Sequence, residues 1–268
     1  MIKTSNIISV RNKSILSQMV KTDFKVRYQG SVLGYLWSLL RPLFLFIILY
    51  IVFTRVFRVG EDVEFFPVYL LFGIVLWNFF SEATNSAMTS VVARGDLIKK
   101  ISIPRYLVVI SSNVSALINL GLNLIVVVAL ALFVGVAIKL SWLIIPLLIF
   151  ELWLLSIAIG FILSALFVKY RDVSYVWEVI LQAGFYATPI LYPLSFITAL
   201  KFQQLIMLNP VAQIIQDSRW SFVSHSTTTG WQILPNWATL IPFITIIMLC
   251  AFGYYYFKKE SKYFAENI

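Results

Sequence analysis

The side chains that could do chemistry in this sequence are carboxylates and amides set inside long apolar runs. Glu151 lies in the middle of one run, and Glu82 and Glu178 lie closer to the ends of theirs. Helical spacing places a row of polar residues on one face of a further run, at Ser112, Ser115, Asn119 and Asn123. Two interpretations stay open: Glu151 hydrogen-bonds to Asn119 or Asn123 as a structural pair, or it belongs to a proton relay.

The sequence shows none of the motifs by which a chain of this kind would hydrolyse ATP or catalyse a reaction. A G-x-x-x-x-G-K-[ST] phosphate loop is absent, and so are H-E-x-x-H and G-x-S-x-G. His225, the one histidine, has no metal-ligating neighbours at suitable spacing, and Cys250, the one cysteine, lies in an apolar run. We therefore expect no cofactor or metal on this chain, so a partner or an ion gradient must supply energy for any pumping.

The composition indicates whether the apolar runs fold in water or in a lipid bilayer. Hydrophobic residues make up 60% of the 268 positions and charged residues 12%, and the mean hydropathy is +0.88. A soluble domain has about 25% charged residues and under half apolar ones, so much of this surface must face lipid. The net charge of +9 is spread between the runs and forms no basic patch on a soluble module, which argues against a nucleic-acid partner.

Six apolar runs reach the roughly 20 residues that a membrane-spanning helix needs. They lie at 33–56, 66–89, 107–137, 142–167, 174–193 and 234–257. The fifth is the weakest, because Pro189 and Pro193 would kink or end it. With Arg41 left uncounted inside the first run, fifteen Lys and Arg residues fall on one side of the runs and five on the other. This bias predicts an all-α integral membrane protein with both termini in the cytoplasm.

Two stretches outside the runs are also apolar enough to form helices. Residues 1–32 mix basic residues with apolar ones such as Met19, which predicts either an amphipathic helix at the membrane surface or a plain positively charged anchor. The connection 194–233 is too apolar for an open loop. We predict two short helices there, broken at Asn209-Pro210, with their apolar faces in the outer leaflet or against the bundle.

Several short motifs occur in the order found in one transporter family. The first is Arg27-Tyr28-Gln29-Gly30-Ser31-Val32-Leu33-Gly34-Tyr35-Leu36-Trp37, followed by Pro42. The others are Gly95-Asp96-Leu97-Ile98-Lys99-Lys100 with Pro104-Arg105, Tyr170-Arg171-Asp172-Val173, Pro189-Ile190-Leu191-Tyr192-Pro193 and Leu208-Asn209-Pro210. With these motifs the sequence resembles the ABC-2 type export permeases over almost its whole length. The closest branch is the one that exports O-antigen, capsule and teichoic acid polymers.

The resemblance implies a homodimer of permeases bound to two copies of a separate nucleotide-binding subunit, which would carry the ATP and Mg. It implies that the loop near 94–105 forms a coupling helix docked on that subunit and that the N-terminal helix adds to the contact. The candidate coupling residues are Arg94, Gly95, Asp96, Leu97, Ile98, Lys99 and Lys100. The stretch 194–233 would form re-entrant gate helices that include Phe202, Asn209 and Pro210, and the first and fifth spans would line a central channel.

Aromatic side chains on the first and fifth spans would suit a sugar polymer, because sugar rings pack on aromatic faces and hydroxyls bond to tyrosine. The candidate channel-lining residues are Tyr35, Phe46, Tyr50, Phe53, Phe57, Trp177, Phe185, Tyr186 and Tyr192. An alternative is that these aromatics face lipid. Near the cytoplasmic mouth, Lys25, Arg27 and Arg41 either bind the phosphate head of a lipid carrier or act as topological anchors.

The resulting hypothesis is the permease subunit of an ABC transporter in the cytoplasmic (inner) membrane. It would export a lipid-linked polysaccharide or teichoic acid with energy from ATP hydrolysis on its partner. Residues 1–32 would form a cytoplasmic interface helix and residues 33–268 the six-helix permease domain. The alternatives are an ABC-2 exporter of drugs or other lipids, an ion-coupled carrier and a membrane-embedded enzyme.

Overall fold

The part of the chain that the structure describes folds into helices joined by short turns. The computed structural model describes residues 10–28, 34, 36–56, 63–100 and 103–264. The α-helices in these ranges are α1 Val10–Tyr28, α2 Leu36–Ile51, α3 Phe66–Ala93, α4 Gly95–Lys100, α5 Tyr106–Val134, α6 Ile145–Lys169, α7 Val173–Ala187, α8 Leu200–Met207, α9 Pro210–Phe222, α10 Gly230–Ile233 and α11 Ile241–Glu260.

Five of the described helical segments are long and apolar enough to cross a membrane. They are Leu36–Arg55, Phe66–Ala93, Tyr106–Val134, Leu140–Lys169 and Ala238–Tyr263. The first extends α2 by a π-helical turn, and the fourth and fifth extend α6 and α11 by turns of 3-10 helix. These segments confirm a multi-pass membrane protein and match five of the six predicted spans.

The fifth predicted span, 174–193, forms a shorter helix than the sequence predicts. Helix α7 has 15 residues and ends ahead of Pro189, which stands in a turn. At about 1.5 Å per residue it is roughly 22 Å long, less than the ~30 Å thickness of a bilayer's hydrocarbon core. A crossing at this point therefore stays a prediction, and so does the total of six spans.

Helix α3 is the centre of the bundle. Most of its length is buried, with Val68, Leu70, Ile74 and Ala83 completely inaccessible. It packs against α5 and α6, and α11 packs on the far side of α6. A helix with so many buried apolar side chains on several faces is stable only inside such a bundle. The surrounding helices therefore set the position of everything attached to the ends of α3.

Small residues allow the long helices to approach one another closely. At Gly160 on α6, an added Cβ would lie 2.7 Å from the Cβ of Ala87 on α3. At Gly253 on α11, it would lie 2.5 Å from the carbonyl oxygen of Ala158 on α6. Close backbone approach through small residues is the usual way in which helices pack in lipid, where water does not drive them together. The contacts of α6 with α3 and α11 are therefore rigid.

Helices α2 and α7 lie at the edge of the bundle and expose apolar side chains. On α2 the exposed residues include Trp37, Phe44 and Ile48, and on α7 they include Tyr175 and Val179. Exposed apolar surface of this extent requires lipid or another protein against it.

The segment after α7 forms the short helices α8, α9 and α10. Helix α8 ends at Met207 and α9 begins at Pro210, so the predicted break at Asn209-Pro210 is confirmed. The Asn209 side chain caps α9 by accepting a hydrogen bond from the Val211 backbone N–H at 3.0 Å. Helix α9 is almost entirely buried against α3, α6 and α11. A re-entrant path through the membrane and a gating role for these helices stay predictions.

Candidate functional site

Helix α4 turns its apolar side toward the bundle and its charged side outward. Gly95 and Ile98 are buried, whereas Asp96, Lys99 and Lys100 are exposed. Asp96 lies in the first turn and the two lysines in the last, an order that complements the helix dipole. The structure therefore places three of the four charged candidate coupling residues, Asp96, Lys99 and Lys100, on one accessible face.

Helix α1 also presents a basic face, at the same end of the bundle. Its exposed basic residues are Arg11, Lys13, Lys21 and Lys25. On the opposite face Met19 is buried, and the buried Asn12 donates from Nδ2 to the Tyr106 hydroxyl at 3.5 Å. The apolar face of α1 thus packs on protein, mainly on α5. The side chain of Arg27 lies outside the described residues.

An apolar cluster connects α1 and α4 to the ends of four long helices. Its buried members are Met19, Ala87, Val91, Ile98, Val108, Val109, Phe161, Ala165, Val168, Phe257 and Phe264, with Ile15, Leu97 and Tyr106 packed against them. They come from α1, α3, α4, α5, α6 and α11 and the turn after it. Because a packed interior resists deformation, a displacement of α4 is transmitted to the long helices through this cluster.

Arg94, between α3 and α4, joins three helices through its guanidinium group. Its Nη1 donates to the Ser111 hydroxyl at 2.8 Å and to the Val108 carbonyl at 3.3 Å, both on α5. Its Nη2 forms an ion pair with Asp23 on α1. Since the guanidinium is a planar fork of donors, one side chain can hold both neighbours at once. Arg94 therefore links α1 and α5 at the end of α3.

A polar cleft of about 710 Å³ opens between α2, α3 and α5. Arg41, an exposed residue of α2, lines it together with Glu82 on α3 and Asn119 on α5. Its other polar lining residues are Ser38, Asn78, Ser81, Asn85, Ser86 and Asn123. Charged and amide groups inside membrane spans are costly unless they face a partner or a wet cavity. The cleft is such a cavity.

The structural pair predicted for Glu151 is wrong. Asn119 donates from Nδ2 to both carboxylate oxygens of Glu82, at 3.1 and 3.0 Å, and Asn123 donates to the backbone carbonyl of Asn119 at 2.9 Å. Glu151 lines a different cavity, together with Asp217. Asn119 and Asn123 therefore face α3 and the polar cleft, on a different side of the bundle from the cavity of Glu151.

The candidate channel residues of α2 and the turn after it are partly buried inside the protomer. Phe46 is 8% exposed and stacks on Tyr50, with 5.6 Å between the ring centroids. Phe53 is half-buried. Tyr35 and Phe57 lie outside the described residues.

The candidate channel residues of α7 and the following turn differ in exposure. Trp177 donates from Nε1 to the Thr84 hydroxyl at 3.2 Å, and Phe185 lies 6.1 Å from Trp77, so both contact α3. Tyr186 is 62% exposed. The hydroxyl of Tyr192 donates to the Tyr186 carbonyl at 3.1 Å, and burial raises the pKa of Tyr192.

At the opposite end of the bundle, α8 and α9 hold the candidate gate residues. Phe202 on α8 is 64% exposed. Asn209 and Pro210 form the junction with α9 and are packed less tightly than the body of that helix. The exposed side chain of Phe202 therefore points away from the protomer core, whereas the junction owes its shape to the asparagine cap.

Arg219 on α9 is a buried structural residue that charge counting misses, because its position between apolar runs makes it one of the five outer Lys and Arg residues. It is completely buried and donates to the carbonyl oxygens of Tyr69, Pro189 and Ile190, at 3.0, 2.5 and 2.7 Å. Its position could have been found from helical periodicity, since it follows Ile215 by four residues on the apolar stripe. Burial lowers the pKa of Arg219, but guanidinium stays charged in proteins.

Within the ranges that the structure describes, no group of three or more His, Cys, Asp and Glu side chains could hold a metal ion. What the structure shows at the α4 end of the bundle is an exposed charged face on α4 that is joined to the long helices by a buried apolar cluster.

Comparison with known proteins gives a consistent result. The family model described as ABC-2 type transporter matches residues 15–223. The O-antigen export system permease protein RfbA of Myxococcus xanthus is 27% identical over 257 residues, 96% of each chain. Two proteins of that name from Klebsiella pneumoniae are 30% identical over 253 residues, 94% of each chain.

Proposed function

This chain belongs to the ABC-2 type transporter family, and on that premise we propose that it is the permease subunit of a polysaccharide exporter. Its substrate would be a lipid-linked polysaccharide of the O-antigen type. ATP hydrolysis, with its Mg, would take place on a separate nucleotide-binding subunit. The observation that carries this proposal is the likeness to O-antigen export permeases over nearly the whole chain.

The charged face of α4, with the basic face of α1 beside it, would dock on the nucleotide-binding subunit. Asp96, Lys99 and Lys100 are exposed and can make charge-complementary contacts that fix register and orientation. Leu97 and Ile98 belong to the apolar cluster, so they would carry the movement and not the docking. A change of shape in the ATPase would then displace α4 and the ends of α3, α5, α6 and α11 together.

Two copies of the chain would form the conduit. The exposed apolar faces of α2 and α7 support this, because a second copy can cover them and enclose a path between the protomers. Tyr186 is the candidate aromatic most exposed toward such a path. Arg41, in the polar cleft, would meet the phosphate head of the lipid carrier, with Lys25 and Arg27 nearer the entrance. Phe202 and the Asn209-Pro210 junction would gate the exit.

We place this complex in the cytoplasmic (inner) membrane with both termini inside. The bias of Lys and Arg toward one side of the runs supports that orientation. It also brings α1 and α4 to the cytoplasmic side, where ATP is available.

The proposed function is tested with the permease and its ATPase partner purified together and reconstituted in lipid. Adding lipid-linked O-antigen is expected to change the rate of ATP hydrolysis severalfold, whereas the lipid carrier without glycan changes it less. A complex whose ATPase responds to unrelated drugs or phospholipids and not to the glycan would contradict the proposed substrate.

Charge reversal on α4 tests the docking face in the same assay. Asp96→Lys and Lys99→Glu are each expected to reduce glycan-stimulated ATP hydrolysis at least tenfold, because like charges then meet at the interface and repel. Permease expression should stay normal, since both side chains are exposed. Lys201→Glu, at an exposed position on α8, is the matched control. Wild-type coupling in both α4 variants would show that the ATPase docks elsewhere.

A further inference from the structure

A second cavity, of about 750 Å³, lies at the end of the bundle opposite α4. It is bounded by the N-terminal halves of α6 and α11 and by α9 and α10. The function proposed above makes no use of it. Glu151 lines it, but none of the candidate coupling, channel-lining, gate or lipid head-group residues does.

Two carboxylates line this cavity without satisfying their hydrogen-bonding capacity. Asp217 is only 9% exposed, and Gln213 donates to its Oδ2 at 2.7 Å. Its Oδ1 and the Oε1 of Glu151 are buried, and neither accepts a hydrogen bond of standard geometry from a described residue. The Trp231 side chain makes only a weaker polar interaction with Asp217. A buried acceptor left unpaired costs about 1–3 kcal/mol, and more when it is charged. The site therefore calls for a ligand that brings hydrogen-bond donors.

The electrostatic balance of the cavity favours a cation. None of the described residues that line it is Lys or Arg. Burial raises the pKa of Asp217 to about 6, so this carboxyl still carries its charge at pH 7. A head group with a net negative charge would be repelled by these carboxylates, whereas a positive donor would both pair with the carboxylates and neutralise them.

The walls of the cavity are apolar and aromatic. Trp220, Trp231 and Phe243 line it, and aromatic faces attract cations by about 0.5–2 kcal/mol. At the rim, Leu147 and Ile247 are 66% and 68% exposed. Both belong to membrane-spanning segments, so lipid chains can reach the cavity from the side. Apolar walls do not stabilise a hydrated metal ion, whereas they do stabilise an alkyl chain packed against them.

We propose that this cavity binds the head of a membrane amphiphile that carries a primary ammonium group. The ammonium donates to Asp217 and Glu151, and the first carbons of the molecule lie against Trp231 and Phe243. The acyl chains leave past Leu147 and Ile247 into the bilayer. On the orientation proposed above, the ligand is thus a lipid of the leaflet opposite the ATPase.

The test is a titration of the full-length permease in detergent, with bound lipid counted by native mass spectrometry. The probes are phosphatidylethanolamine, N-acetyl-phosphatidylethanolamine, which lacks the ammonium charge, and a diglucosyl diacylglycerol, which offers only hydroxyl donors. Phosphatidylethanolamine is expected to bind at least tenfold more tightly than either of the others. Asp217→Asn and Glu151→Gln should each abolish this preference, whereas Glu178→Gln, an exposed carboxylate on α7, should keep it.

Two outcomes would overturn the proposal. Equal binding of the acetylated lipid would show that the ammonium group is not recognised. Equal or tighter binding of the glucosyl lipid would show a sugar site in its place. If the carboxylate variants do not fold, Ile247→Trp fills the mouth of the cavity from an exposed position and leaves both carboxylates in place. It should also weaken phosphatidylethanolamine binding at least tenfold, and unchanged binding would contradict the location.

Discussion

Replacing Arg219 with alanine is expected to lower the free energy of unfolding by about 3–5 kcal/mol, the cost of breaking a buried charged contact. The substitution leaves the buried carbonyls of Tyr69, Pro189 and Ile190 without the donor that satisfies them in the wild type. It also removes a guanidinium that lies 3.6 Å from the centroid of the Tyr69 ring. The apparent melting temperature of the purified permease should fall by roughly 10 °C.

The reason for so large an effect is that Arg219 joins three parts of the chain. Helix α9 supplies the arginine, α3 supplies Tyr69, and the turn after α7 supplies Pro189 and Ile190. Without this link, α9 loses its charged contacts with α3 and with the turn after α7, and the turn loses its attachment to α9. We expect limited proteolysis to cut the region between α7 and α10 faster in the variant.

Gly73 gives an independent way to disturb the same link. A Cβ at this position would lie 2.2 Å from Nη2 of Arg219, so Gly73→Ala should displace the guanidinium and also lower the melting temperature. Combined with Arg219→Ala, it should cost less than the sum of the two single changes, because the obstructed group is already gone. Lys201→Ala removes an exposed cation and is the control. A wild-type melting temperature for Arg219→Ala would show that Arg219 does not hold α9, α3 and the turn after α7 together.

Arg94→Ala is expected to reduce glycan-stimulated ATP hydrolysis and export at least tenfold while the long helices stay assembled. The variant loses the ion pair with Asp23 on α1 and the hydrogen bonds to Ser111 and Val108 on α5. α1 and α4 then keep only their apolar contacts with the bundle, so movement of the docking face is transmitted less fully. ATPase rate and glycan flux in reconstituted complex measure the loss.

Two further variants test whether coupling depends on the contacts of Arg94 with both α1 and α5 or only on its positive charge. Arg94→Lys keeps the charge but cannot reach both neighbours with one compact group, so it should be impaired nearly as much as Arg94→Ala. Arg171→Ala removes an exposed arginine between α6 and α7, outside the proposed docking face, and should couple normally. If Arg94→Lys restores full coupling, the charge alone is sufficient and the contacts with both helices are not needed.

Much of the architecture could be predicted because its signals are local. An apolar run of sufficient length needs lipid whatever surrounds it, and five predicted spans correspond to long apolar helices. The break at Asn209-Pro210 follows from proline lacking a backbone donor, and the asparagine cap needs only its own neighbours. The charged face of α4 is likewise a matter of spacing along one short helix. Family membership followed from the order of motifs.

Pairings between helices could not be predicted in the same way. The sequence analysis paired Asn119 or Asn123 with Glu151, but periodicity gives the face of a helix and not the neighbour opposite that face. In the tertiary structure the partner of Asn119 is Glu82 on α3, whereas Glu151 lines a separate cavity. Arg94 gave no local sign that its partners are Asp23 and Ser111.

The sequence by itself therefore determined that the long helices of this protein need lipid around them, where those helices lie along the chain, and to which transporter family the protein belongs. Only the tertiary structure decided that Arg219 is a buried link and not a loop charge, and that Asp217 and Glu151 share a cavity. The physical reason is that hydropathy and helical spacing act within a segment. The partners of a buried charge depend on which helices pack together, and that choice is made by the bundle as a whole.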